Sequence, residues 1–302
     1  SDLNPEEADG LVQGLRRQGV DQIKFRDLRK PAFLALAASA RAQGMRLTGH
    51  APVGIGIGEA AEAGLSSLEH MDTVSESLGD APDPERGEEF ARMARAGTGL
   101  TPTLVTTIAY RMTPDAHAYA VIADTAGRLD RRRRFLSRDM LAAWKFGLDA
   151  KQLEGAVPDG FWAKAFDRQV ADLKLAHRAG VRLMVGTDLG VSLVYPGYAV
   201  HEEMNALVTL GGLTPLEALR AATATPAAII TADPAGGRIS PGAAADLVLL
   251  AHDPLADIRA ISDIDAVVAA GRLLTHADLR ALQRRAQVLA ASPDATPPPP
   301  SR

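Results

Sequence analysis

From residue 20 to residue 70 the chain repeats one unit: a short apolar run, a polar loop, a helical stretch and a glycine. Strands are predicted over 20–25, 45–48 and 66–69, and helices over 32–43 and 57–63, the helices ending at Gly44 and Gly64. The cycle recurs every roughly 20–26 residues, the signature of βαβ units and hence of a parallel sheet. In a parallel α/β barrel all such strands end on one face, where side chains from different strands converge. That constraint makes the strand-end residues the first place to look for chemistry.

Four potential metal donors stand at those ends: Lys24, His50, His70 and, after a later predicted strand over 181–186, Asp188. Two imidazoles, a carboxylate and a lysine at a common rim point to a metal-dependent hydrolase. The chain has no cysteine, so disulfides and thiolate chemistry are excluded and any zinc would be held by nitrogen and oxygen.

Asn4, Pro5, Glu6 and Glu7 read as a helix start, with a cap, a proline and acids in the first turn. That helix is predicted to run to about Gln18 and to stop at Gly19. A further strand is expected over 100–106, followed by a long helical stretch over 114–179 read as an insertion at the barrel mouth. Helices are expected over 201–210 and 215–222. The texture then changes to short runs broken by turn residues, as in a small antiparallel sheet, and a last helix is expected over 277–289. The expected division is a partial barrel over 1–234, part of a small β-domain with the last helix over 235–290, and a proline-rich tail over 291–302. Only five barrel strands are found, whereas a barrel closed from eight needs three more.

The formal charge of −4 gives no electrostatic reason to expect a nucleic acid or an anionic membrane as partner. No run of eighteen apolar residues suggests a transmembrane helix, and the polar opening residues are not expected to form a signal peptide. The compartment stays open, and a homo-oligomer is possible.

An ordered series of motifs resembles the amidohydrolase superfamily, in its imidazolonepropionase-like and Xaa-Pro dipeptidase (prolidase)-like branch. It comprises Asp21-Gln22-Ile23-Lys24, Thr48-Gly49-His50-Ala51, Leu68-Glu69-His70 and Gly186-Thr187-Asp188. It continues through the run from Leu213 to Thr223, the run from Gly237 to Val248, and the run from Asp253 to Ile258. The chain resembles the C-terminal two-thirds of such an enzyme. The resemblance implies a (β/α)₈ TIM-type barrel, of which this chain holds strands four to eight, with the C-terminal part of a small β-sandwich domain. It implies a binuclear centre, with zinc the expected ion, and a carbamate formed on Lys24 from carbon dioxide. On this resemblance Lys24, His50 and His70 hold the metals, while Asp188 touches one metal and is the catalytic proton carrier. The substrate would be a small-molecule amide, either an N-acyl amino acid or a dipeptide.

The family's first strand carries a His-x-His pair, and none of the seven histidines here is two residues from another. The expectation is therefore a nicked or two-chain enzyme, whose N-terminal fragment bears that pair as a second polypeptide. Two alternatives stand beside it: a deaminase of the same superfamily, and a non-catalytic barrel fragment. Deamination is ranked lower because Ala51-Pro52-Val53-Gly54 follows His50 and Lys24 is present.

Other signals carry less. His201-Glu202 lacks the second histidine of a zinc helix, because Asn205 stands four residues on. Gly54, Gly56 and Gly58 read as a loop without a dinucleotide fingerprint, and the run from Arg131 to Arg134 reads as a solvated helix face. Tyr110, Arg111, Tyr195 and Tyr198 lie near loops where a substrate carboxylate could be met.

Overall fold

The computed structural model describes residues 3–155, 157–231, 233 and 235–292, and these divide into two compact units. The first gathers 1–104, 162–186 and 203–243; the second gathers 105–161, 187–202 and 244–302. The tail expected over 291–302 lies, from 293 onward, outside the described residues.

In the first unit the expected cycle is realised. Strands β1 (Gln22–Phe25), β2 (Arg46–Gly49), β3 (Ser67–Glu69), β4 (Gly99–Thr101) and β5 (Arg182–Leu183) form one sheet in the order β1-β2-β3-β4-β5. All neighbours are parallel. Sequential neighbours in one parallel sheet are what successive strands of a (β/α)₈-type barrel must give, and among the described residues β1 and β5 each keep one unpaired edge. Helices α1 (Ala8–Arg17), α2 (Lys30–Ala42) and α3 (Ile57–Glu62) alternate with the strands, and α4 (Met71–Leu78) and α5 (Asp83–Ala96) together join β3 to β4. Asn4 caps the chain's first turn by accepting from the Glu6 amide. The α2 helix ends at Gly44 and α5 at Gly97, both in the left-handed region where a Cβ would be strained.

Register sorts the side chains into two faces. Leu68, Leu100 and Leu183 pair in one row and are buried in the apolar core with Phe33, Leu36, Phe90 and Leu173. Burying each such side chain contributes about 1.5–3 kcal/mol. The alternate row runs Lys24, Thr48, Ser67, Gly99 and is polar or small. The strand expected over 100–106 is shorter than the apolar pattern suggested: Pro102 breaks it, and Leu104–Thr106 turns into helix. Helices α4 and α5 fill the 71–96 segment, which periodicity alone had left unassigned.

The second unit holds the helices Asp115–Ala123 and Arg138–Leu153, joined through a 3₁₀ turn over Arg131–Phe135. Val121, Leu136, Trp144 and Tyr195 form its small core, with Trp144 and Tyr195 meeting edge to face at 5.0 Å. The expected antiparallel sheet is present as β6 (Leu247–Leu250), β7 (Ile264–Ala269) and β8 (Arg272–Thr275). The helix His276–Ala291 follows, opened by a capping box at Thr275 and Asp278. The arginine run is not the simple solvated face expected of it. Arg132 is half-buried, pairs with Asp130 and Glu202, and lies 4.1 Å over the Tyr195 ring. Arg133 donates to the Ile122 carbonyl. No helix among the described residues is long and apolar enough to cross a membrane.

One buried ion pair ties α5 to the helix Phe161–Arg178. Arg86 and Asp172 are 2% and 0% exposed, and their bridge measures 2.7 Å. The guanidinium also donates to the carbonyls of Ala81 and Gly79, so each of its three nitrogens has an acceptor. Removing one partner strands a charge away from water. Asp172→Ala is expected to cost about 3–5 kcal/mol, read as a lowered urea midpoint; a change of a few tenths would show the pair to be solvated.

Candidate metal centre at the strand ends

The parallel register sets Lys24 level with Thr48 and Phe25 level with Gly49. His50 follows β2 directly, and His70 follows β3 directly. Gly49 permits close approach of the two strands here, because a Cβ on it would lie 2.4 Å from the Phe25 carbonyl oxygen. Strand alternation would send adjacent residues Glu69 and His70 to opposite faces. His70 instead has φ 67°, in the left-handed region, so the backbone rolls over at the strand end and carries the ring to the donor side. There the His50 and His70 rings meet edge to face at 5.0 Å. His70 Nε2 lies 3.5 Å from Lys24 Nζ. Three of the four expected donors therefore converge within the first unit.

His70 is oriented from behind. Its Nδ1 lies 2.9 Å from the hydroxyl of Thr103, which is 3% exposed and itself at φ 50°. A protonated lysine can only donate, so Nε2 accepts from Lys24 and Nδ1–H donates to Thr103 Oγ1. The imidazole is thereby held in the tautomer whose Nε2 lone pair faces the donor cluster, the arrangement a metal-binding histidine needs. A β-branched residue at positive φ is costly and persists only where its surroundings enforce it.

Burial, and after it the neighbouring His70, Lys24 and Arg26, hold the His50 imidazole below its ordinary value of 6.5. Asp27, 3.9 Å from Nδ1, pulls weakly the other way. A neutral imidazole keeps the lone pair that coordination requires. Beneath the histidines, Glu69 Oε1 accepts from Thr48 Oγ1 at 3.1 Å and from Ser67 Oγ at 2.8 Å, binding β2 to β3.

Asp188 belongs to the second unit. It is exposed, stands at φ 47°, and lines a cavity of about 340 Å³ with Tyr110, Gly147 and residues 189–192. Among the described residues, no three His, Asp or Glu side chains are grouped so as to hold a metal. The donors that do converge fit a divalent cation on one condition. The ammonium of Lys24 offers no lone pair, so it must be converted to an anionic oxygen donor.

Residues 28–274 match the amidohydrolase family. The chain belongs to that family. Ochratoxinase from Aspergillus niger is 36% identical to this amidohydrolase chain over 118 residues, 38% of this chain and 23% of that protein. Among solved structures, a bottromycin amidohydrolase superposes with a TM-score of 0.69 at 25% identity, covering 96% of this chain and 63% of that one. A putative prolidase from Bifidobacterium longum gives 0.59 at 26% identity, covering 94% and 64%. The chain spans under two thirds of the length of both structures and about a quarter of ochratoxinase. These likenesses agree with the expected Xaa-Pro dipeptidase-like branch.

Sequence reading missed two participants. Glu69 was visible beside His70, but only the structure shows that it bonds across to β2. Thr103 carried no local signal, since its contact with His70 spans 33 residues.

Two measurements probe this arrangement. In Thr103→Val the His70 ring should lose its single tautomer, seen as averaged ring ¹⁵N shifts, whereas Thr103→Ser should keep it. Unchanged shifts in the valine variant would mean that the hydroxyl does not set the tautomer. For His50, the folded-state pKa lies below the unfolded value, so protonation favours the unfolded chain. Its contribution to stability is full above about 6.5 and is lost as pH falls through the folded value. The urea midpoint of the metal-free protein should thus fall more steeply below pH 6.5 than that of His50→Gln. Parallel slopes would refute the assignment.

Proposed function

We propose that this chain carries most of the active site of a metal-dependent amide hydrolase, cleaving the C–N bond of a small N-acyl amino acid or dipeptide. The observation that carries the reading is the convergence of Lys24, His50 and His70 at consecutive strand ends, with His70 Nε2 3.5 Å from Lys24 Nζ. The names of the relatives, an amidohydrolase, a putative prolidase and ochratoxinase, favour amide chemistry over deamination.

Lys24 would react as the free amine with carbon dioxide, forming an N–C bond and releasing one proton, to give a carbamate. The carbamate, His50 and His70 would then hold two divalent cations, zinc being the expected ion given nitrogen and oxygen donors. When bound, such ions lower the pKa of water and polarise a carbonyl. The chain's own residues do the rest. Thr103 keeps the His70 lone pair turned inward. Asp188 accepts the proton of the attacking water and passes it to the leaving nitrogen, so that carboxylic acid and amine form in one cycle.

A donor set of two imidazoles and one carbamate leaves a binuclear shell incomplete. We assign the remaining donors to a segment outside this sequence, on a second polypeptide or on the same one. The unpaired edge of β1, next to Lys24, supports that assignment because a parallel barrel needs a neighbour there. The partial barrel over 1–234 and the small β-domain over 235–290 remain the proposed domain division.

The test is made on the complete assembly. Asp188→Asn should lower kcat on an N-acyl amino acid by about 10²–10⁴-fold, with metal content by mass spectrometry unchanged. Full turnover in that variant removes Asp188 from the mechanism, and metal-free wild type with full turnover removes the reading itself.

A further inference from the structure

In the cavity lined by Asp188, the two side-chain hydroxyls are committed within the protein, and the Asp188 carboxylate is the one charged group of the lining. The Tyr110 hydroxyl donates to the Gly147 carbonyl at 2.8 Å, and the Lys151 ammonium donates to the Tyr110 carbonyl at 2.7 Å. Tyr110 is therefore clamped at both ends, with Arg111 and Lys151 lying 4.9 Å and 5.3 Å from its ring centroid. Ser192, 2% exposed, donates its hydroxyl to the Trp144 carbonyl at 2.8 Å. The remaining walls are the side chains of Leu189 and Val191 and the bare backbone at Gly147. Leu189 is 52% exposed, a large apolar group left at the rim.

The two cations nearest Tyr110 are neutralised. Arg111 pairs with Glu154 and Lys151 with Asp115 at 2.6 Å. A carboxylate entering this space would face the like charge of Asp188 and find no cation in the lining. An apolar group loses nothing polar and gains contact with Tyr110, Leu189 and Val191. Size agrees: a dry apolar cavity of about 150 Å³ suffices for benzene, and this space measures about 340 Å³.

We propose that this cavity is the specificity pocket of the enzyme and that it receives an uncharged aliphatic or aromatic group of the substrate. Tyr110, Leu189 and Val191 select that group. The inference rests on the function proposed above, because Asp188 connects the pocket to the reacting bond. It also narrows that function. Any carboxylate of the substrate binds elsewhere, and the group beside Asp188 is the apolar one.

Binding is read without turnover, so it stands or falls separately from the mechanism. The full-length assembly is titrated with benzamide and, separately, with 4-carbamoylbenzoate, the same molecule bearing a carboxylate, by saturation-transfer NMR. Benzamide should bind and the carboxylate should bind about tenfold more weakly or worse. Leu189→Lys, at a half-exposed rim position, should reverse the order by supplying the missing cation. Val191→Phe, which fills the space, should weaken benzamide while circular dichroism stays native. Equal binding of both probes to the wild type, or benzamide binding untouched by both variants, overturns the pocket. Benzamide binding with the expected selectivity, together with undiminished turnover in Asp188→Asn, sustains the pocket and removes only the mechanism.

Discussion

The parallel register of β1, β2 and β3 is the constraint on which the rest of the site depends. It sets Lys24 beside Thr48 and Thr48 beside Ser67, so one polar row faces one side and the leucine row faces the helices. A slip of one residue would exchange the two rows, carrying Lys24 into the apolar layer and Ile23 out of it. The helices enforce the register, because the leucines must be covered. The site is thus a by-product of burial on the opposite face.

Within that frame, backbone conformation does what strand alternation cannot. His70 and Thr103 both stand at positive φ, and each is in contact with the other. Together they place one imidazole on the donor side and hold its tautomer. The arrangement concentrates local strain at one point of the sheet, the pattern associated with functional positions. The buried Arg86 and Asp172 pair secures the helix layer behind the sheet, away from this point.

Much of this was legible in advance. Apolar runs separated by helices and glycines announced five parallel strands, and five are found in sequential order. Lys24, His50 and His70 were named from strand ends alone, and they converge because parallel strands share a direction. Where the reading slipped, the cause was local. Pro102 cut the fourth strand short, and Arg132 turned inward to Asp130, Glu202 and Tyr195 where a charge run suggested solvent. Helices α4 and α5 went unassigned because their apolar faces are narrow and interrupted by charge.

Sequence by itself determined the order of elements, the class of the sheet and the kinds of donor available, since these follow from hydrophobic period, glycine placement and residue type. Tertiary structure alone decided which hydroxyl turns the His70 ring, how Glu69 links two strands, and that the Tyr110 and Ser192 hydroxyls are spent within the protein. The reason is physical. Hydrogen bonds between residues dozens of positions apart depend on where the chain returns in space, and no local pattern in the chain encodes that distance.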